Sequence, residues 1–246
     1  RAACKAEEKF MDFLYLNFPA QDFDTFWSSW EKYIDALSIT IPHKQKITDK
    51  LDFKGRSVLL SGVCNTAIKK DGRWYGFNTD YAAICELLSD HSIILMDGIL
   101  VYGTGGTTRS TVAALKELNI KNIYITGRNQ TEGEKIAREF GVEFRKMEQL
   151  KEMELAGIIQ TTPVGMYPRT EEIPVVAELL KPGMLAFDVV FNPTLTRFLE
   201  QAKNRGCQII SGVEMYLRQA RIQFELFSGH GISLDGVKQT WQNLSE

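Results

Sequence analysis

A chain of 246 residues, 44% hydrophobic and 24% charged, is long enough for one large domain or two small ones around a sizeable core. Its formal net charge of −2 gives no electrostatic reason to expect nucleic acid or an anionic membrane as partner, and no apolar run is long enough to cross a bilayer. The cysteines (Cys4, Cys64, Cys85, Cys207) are scattered and form no CxxC pair, so zinc, other metal and redox motifs are unsupported and a reducing, cytoplasmic setting is expected.

Residues 3–14 (ACKAEEKFMDFL) read as an amphipathic helix, and 14–18 (LYLNF) as a short strand. Residues 23–36 predict a helix with Phe23, Phe26, Trp27, Trp30 and Tyr33 at helical spacing; with a neutral charge balance these aromatics read as core, not as a base-stacking surface. A strand over 38–42 (SITIP) follows. Pro42 has no N–H for a ladder, so it stops the strand and leaves Lys44 on a loop at its tip. Such a place suits a reactive ammonium and equally a solvated one. From residue 99 the pattern alternates. Strands are predicted at ILVYG, NIYIT, GIIQTT, LAFDVVF and QIISG, with helices at 107–118, 132–140, 173–180 and 195–205. That alternation predicts a parallel sheet covered on both faces. Helices at 214–227 and 235–245 close the chain.

The strand ILVYG runs into GTGGTTRS (103–110), which opens a helix. Glycines there allow a tight turn and let backbone N–H groups approach a pyrophosphate. The spacing is GxGG and not GxGxxG, and the context of strand before and helix after is what supports dinucleotide binding. At the end of the next strand an NAD site usually carries an acid for the ribose 2′-OH. This chain has Arg128 in ITGRN instead, a guanidinium suited to a 2′-phosphate; its plainer role is a surface arginine after a turn.

Eight segments in one order carry a family resemblance: SITIPHK, VCNTAI, GFNTDYAA, GTGGTTRS, ITGRN, TTPVGM, FDVVFNPTLT and SGVEMYLRQA. Together they resemble shikimate dehydrogenase, which interconverts 3-dehydroshikimate and shikimate with NADP. The resemblance implies a Rossmann doubly wound parallel sheet plus a discontinuous α/β substrate domain, with a cleft between them. Residues 1–82 and 214–246 would form the substrate domain and 83–213 the NADP-binding domain. It also implies Lys44 and Asp80 as catalytic residues, with Thr40, Asn65 and Gln219 holding the substrate. Gly103, Gly105, Gly106 and Thr107 match the cofactor loop, Arg128 the 2′-phosphate clamp, and Thr161, Gly212 and Met215 the nicotinamide side. Asp80 equally suits the first turn of a helix, and Asn65 a turn. In the implied chemistry a lysine ammonium beside the reacting carbonyl stabilises developing charge and can deliver the proton, and an aspartate orients it. Whether Lys44 donates the proton or acts mainly through its charge stays open.

Two departures qualify the resemblance. The family grips the substrate carboxylate with paired serines after its first strand, and nothing ahead of Phe10 matches that segment. Arg1 therefore reads as an internal residue of a longer chain, for instance one fused to a dehydroquinate dehydratase. The chain as numbered is expected to bind NADP but to handle shikimate poorly without the upstream segment. The second departure is Phe191, which stands where the family commonly has a tyrosine that assists the carboxylate; Gly127 likewise replaces a common asparagine. Two other readings stay open: an NAD-using quinate/shikimate dehydrogenase, against which Arg128 speaks, and a non-catalytic metabolite sensor, against which the Lys44 and Asp80 pair speaks. The small-molecule substrate is the partner all three share.

Overall fold

Asp22 opens the regular structure by accepting from the Asp24 N–H (3.1 Å), which caps α1 (Phe23–Trp30), in a computed structural model that describes residues 14–19, 21–91 and 98–245. The chain forms two units, one of residues up to Thr79 together with Leu217–Glu246, the other Asp80–Tyr216.

In the first unit, α1 is followed by β1 (Ala36–Ser38), β2 (Phe53–Lys54), α2 (Arg56–Ser61), β3 (Thr66–Lys70), β4 (Arg73–Phe77) and the first residue of α3 (Thr79–Asp90). Asp71 and Gly72 both take positive φ (51° and 74°), the geometry of a two-residue hairpin turn that matches strand twist, so β3 and β4 pair antiparallel from Lys70↔Arg73 onward. The sheet order is β1-β3-β4-β2. Its core gathers Phe23, Ile39, Ile47, Val58, Cys64, Ala67 and Trp74. Trp74 meets its polar requirement by donating from Nε1 to Glu31 (3.0 Å), which also pairs with Lys69 (2.8 Å).

Three expectations are corrected here. Residues 14–18 form no strand; Leu14 and Tyr15 are exposed, and no strand among the described residues pairs with the segment. The helix predicted over 3–14 lies outside the described residues up to residue 13. The strand predicted at 38–42 sits earlier, at Ala36–Ser38. Ile39 still donates to the Asn65 carbonyl (2.7 Å), but the chain then turns, with His43 N–H on Thr40 O (2.9 Å), so Pro42 lies in the turn. The aromatic stripe is only partly core. Phe23 is buried, whereas Trp30, the last residue of α1, is 41% exposed, and Tyr33, in the 3₁₀ turn Glu31–Tyr33 where the α-helical spacing no longer holds, is 79% exposed.

The second unit contains the rest of α3, then β5 (Ile99–Tyr102), α4 (Gly106–Glu117), β6 (Ile123–Thr126), α5 (Gln130–Phe140), β7 (Glu143–Phe144), β8 (Gly157–Gln160), β9 (Leu185–Asp188), α6 (Arg197–Asn204), β10 (Gln208–Ile210) and the start of α7 (Gly212–Ser228). The remainder of α7 and α8 (Leu234–Ser245) belong to the first unit. Every pairing in this six-stranded sheet is parallel, in the order β10-β9-β8-β5-β6-β7. This is the doubly wound order, with its reversal between β5 and β8. β5, β8 and β9 are buried along their whole length, which is why they read as continuous apolar runs. On one face Leu100, Ile158 and Ala186 pack against Phe198, Leu199 and Ala202 of α6. The helix predicted at 173–180 is only a 3₁₀ turn at Ala177–Leu179: Pro174 and the β-branched Val175 and Val176 disfavour an α start, and Pro182 follows. No helix among the described residues is long and apolar enough to cross a membrane.

All four tryptophans (Trp27, Trp30, Trp74, Trp241) lie in the first unit, so their fluorescence reports that unit. Phe23→Ala removes a ring buried against Phe26, Trp27 and His43 and should cost about 3–5 kcal/mol. Tyr33→Ala, at an exposed site, should stay within about 0.5 kcal/mol. Urea titration followed by tryptophan emission measures both.

Candidate active site

In the second unit the loop after β5 is fixed by a relay of hydrogen bonds. The Gly105 N–H donates to Thr108 Oγ1 (3.1 Å), and Thr161 Oγ1 donates to the Tyr102 carbonyl (2.8 Å). The Thr108 and Thr161 hydroxyls lie 2.8 Å apart; since Thr161 has spent its proton on Tyr102, Thr108 is the donor between them. The relay joins the end of β5, the glycine loop, the first turn of α4 and the exit of β8. It therefore spans the reversal of strand order, the place where doubly wound sheets bind ligands.

The glycines have separate reasons. Gly103 takes φ 142°, and a Cβ there would sit 2.3 Å from Thr161 Oγ1 and 2.8 Å from Thr108 Oγ1. Around Gly105 a Cβ would meet nothing within 4 Å, so the loop backbone is open to a ligand. The first turn of α4 carries no acid, and its leading N–H groups have no intrahelical partners, which suits a phosphate. Gly103 N–H donates to Thr126 O (2.8 Å), bringing the loop beside the end of β6, where the exposed Arg128 follows. Burial pushes the Tyr102 hydroxyl above its usual pKa, while the Arg128 charge pulls it back, so the guanidinium's field reaches the end of β5.

On the neighbouring strands, Gly212 packs so closely on Val190 that a Cβ would lie 2.2 Å from its carbonyl oxygen. Met215 is buried on the same helix turn, and Tyr216 stacks on Phe191 with ring centroids 4.6 Å apart. Asp188, buried at the end of β9, accepts from the Val190 N–H (2.9 Å) and the Thr196 hydroxyl (2.6 Å). Burial outweighs these bonds and raises its carboxyl to about 7.

In the first unit Asn65 is the centre of a buried polar network. Its Oδ1 accepts from the Thr79 N–H (2.8 Å), the Thr79 hydroxyl (3.1 Å) and the Thr66 hydroxyl (2.9 Å), and its Nδ2 donates to Thr79 Oγ1 (2.9 Å). One amide hydrogen is left, so Asn65 can offer a ligand only a donor. Gln219 Oε1 lies 3.4 Å from Thr79 Oγ1, and Gln223 Nε2 donates to Thr66 Oγ1 (2.9 Å), which ties α7 to the same network. Ile39 N–H on Asn65 O places the exposed Thr40 beside it, and Cys64 N–H on Lys44 O (2.8 Å) brings in the half-buried Lys44. Burial pushes the adjacent Cys64 thiol up to about 11, so it stays protonated and is no nucleophile.

The structure thus gathers Thr40, Lys44, Asn65 and Gln219 in one unit, and Gly103, Gly105, Gly106, Thr107, Thr161 and Arg128 in the other. Gly212 and Met215 sit in that second unit beside Val190 and Phe191. Asp80, buried in the first turn of α3, follows Thr79 directly, so the Asn65 network anchors the residue before it. Sequence reasoning missed Thr108, Gln160, Asp188, Thr79, Thr66 and Gln223. The signal for Gln160 and Asp188 was available: each is a polar residue closing an otherwise apolar strand.

No protein-family model matches the chain. It is 31% identical over 213 residues to the shikimate dehydrogenase (NADP(+)) of Clostridium perfringens, covering 86% of this chain and 79% of that protein. It is 34% identical over 206 residues to the enzyme of the same name from Maridesulfovibrio salexigens, covering 83% and 75%. Among solved structures it is similar to the Thermus thermophilus shikimate 5-dehydrogenase in complex with NADP(H) and shikimate. That match has 26% identity and a TM-score of 0.86 and covers 98% of this chain and 91% of that one.

Asp188 makes stability depend on pH. Its folded pKa, about 7, lies above the ordinary value of 3.8, so the fold holds its proton more tightly than the unfolded chain does. The resulting stability is complete below about pH 4 and is lost as pH rises through about 7. Asp188→Asn should therefore gain on the wild type as pH goes from 5 to 8, measured by thermal unfolding. A difference independent of pH would mean that the carboxylate is charged throughout.

Proposed function

The chain belongs to the shikimate dehydrogenase family, and on that premise we propose that it catalyses the NADPH-dependent, reversible reduction of 3-dehydroshikimate to shikimate, a step toward aromatic amino acids, in the cytoplasm. The observation that carries this reading is the Gly105–Thr108–Thr161–Tyr102 relay, which fixes an open glycine loop at the strand reversal.

Gly103, Gly105, Gly106 and Thr107 would hold the pyrophosphate, and Arg128 the 2′-phosphate. Thr161, Gly212 and Met215 would bound the nicotinamide side. The bound cofactor supplies the hydride, and the protein supplies position and field. Thr40, Asn65 and Gln219 bind the ring hydroxyls, with Asn65 acting as donor through its remaining amide hydrogen. Lys44 stabilises the negative charge that grows on the carbonyl oxygen as it is reduced and delivers a proton to it. Asp80 orients the ammonium. Cys64, held protonated by burial beside Asn65, takes no part.

If Lys44 acts on the transition state, Lys44→Ala should lower kcat by roughly 10²–10⁴-fold and change the shikimate KM far less. Steady-state assay with shikimate and NADP decides this; an unchanged kcat returns Lys44 to a solvated loop residue.

Arg128→Ala should cost about 1.5–3 kcal/mol of NADP binding, roughly ten- to a hundredfold, and leave NAD nearly unaffected. Titration of both cofactors checks it. Equal losses would assign Arg128 a general structural part, and a wild-type preference for NAD with quinate would favour the broader-specificity relative.

A further inference from the structure

Gln160 and Asp188 are paired neighbours at the carboxyl ends of β8 and β9, directly in register. Both side chains are fully buried, so neither can touch a ligand. Both turn forward and hydrogen-bond the loop that leaves their own strand. Gln160 Oε1 accepts from the N–H and the hydroxyl (2.8 Å) of Thr162, while its Nε2 donates to the carbonyls of Thr162 (2.8 Å) and Val164 (2.9 Å). These bonds use the whole capacity of the amide. Asp188 does the same for its loop: Oδ1 takes the Val190 N–H and Oδ2 the Thr196 hydroxyl, whose oxygen also accepts from the Leu199 N–H (3.3 Å) at the head of α6. The loops are joined at their roots, since Val189 N–H donates to the Gln160 carbonyl (3.0 Å).

What these bonds hold is specific. The first loop begins at Thr161, the hydroxyl that ends the relay to the glycine loop. The second carries Val190, against whose carbonyl Gly212 is packed with no room for a Cβ, and Phe191, stacked on Tyr216. A polar group at the end of a buried strand is costly unless satisfied. Here each is bonded by backbone and hydroxyl groups of its loop, which makes the loop's position part of the core.

We infer that Gln160 and Asp188 are a pair of positioning residues, brackets that set where Thr161, Val190 and Gly212 stand on the nicotinamide side. The inference rests on the dehydrogenase reading for its effect on catalysis, and on geometry alone for its effect on the two loops. A misplacement of about 1 Å at a reacting centre can cost on the order of 10²-fold in rate, so losing a bracket should lower kcat while leaving the phosphate end of the cofactor site intact.

The test uses Thr196→Val and Thr162→Val at nearly constant volume, each of which removes one bracket bond and the backbone N–H bond its hydroxyl accepts (from Leu199 and Val164), together with Gln160→Leu and the conservative Asp188→Asn. In the full chain, Thr196→Val and Gln160→Leu should lower kcat about ten- to a hundredfold. They should weaken the change in NADPH fluorescence on binding and leave the affinity for adenosine 2′,5′-bisphosphate, which has no nicotinamide, within about twofold. Thr162→Val should do the same more weakly, and Asp188→Asn, which keeps an acceptor for the Val190 N–H, should retain most of the kcat. Amide hydrogen exchange should speed up in residues 161–166 for the Gln160 and Thr162 variants and in 189–196 for the Thr196 variant. Faster exchange with unchanged kcat and unchanged NADPH fluorescence would reduce the brackets to a stability role and overturn the inference. So would equal losses for NADPH and the bisphosphate, and so would unaltered exchange in folded variants. Absence of NADP turnover in the wild type would instead defeat the dehydrogenase reading, with the exchange pattern still deciding the bracket geometry.

Discussion

The hydrogen bond between the Thr108 and Thr161 hydroxyls, 2.8 Å long and buried, is the contact on which the glycine loop of the second unit depends. It exists only because the sheet order reverses between β5 and β8, so that two loops leave adjacent strands on opposite windings. Gly103 must then be a glycine, since any Cβ would occupy the space of both hydroxyls. The open backbone at Gly105, the acid-free start of α4 and the nearby Arg128 all take their positions from that junction.

The same device recurs along the carboxyl edge of the sheet. Thr126, Tyr102 and Gln160 each offer a main-chain carbonyl to the first N–H of the loop from the next strand: Gly103, Thr161 and Val189. Gln160 and Asp188 add side-chain bonds of their own. Loops would ordinarily be the least constrained parts of such a fold. Here they are extensions of the strand ladder, and that is the physical basis for placing chemistry on them.

The first unit solves a different problem. It carries polar residues, Asn65, Thr66 and Thr79, at positions of complete or near-complete burial, and removes their cost by having them satisfy one another. Asn65 thereby becomes a fixed donor, and the first turn of α3, with Asp80, starts at a defined place. Gln223 extends the network onto α7, so a helix far along the chain shares in holding a turn near residue 65.

Periodicity and motif order in the sequence determined the parallel sheet, the glycine-rich turn after its first strand and the family. Apolar runs bounded by turn residues have few other uses, and eight ordered segments are specific. What the sequence did not determine is instructive. LYLNF has the composition of a strand but no described partner, and a strand is a property of a pair. The stripe from Phe23 to Tyr33 read as core, but Trp30 is already part-exposed at the end of α1, and the 3₁₀ turn from Glu31 breaks the α-helical spacing before the exposed Tyr33. Thr108, Gln160, Asp188 and Gln223 look like ordinary polar residues in one dimension. Their partners, among them Thr161 for Thr108, Thr196 for Asp188 and Thr66 for Gln223, were chosen by strand order and burial. Local pattern fixes which residues are apolar, but only the tertiary fold decides which polar groups lose water and must therefore find each other.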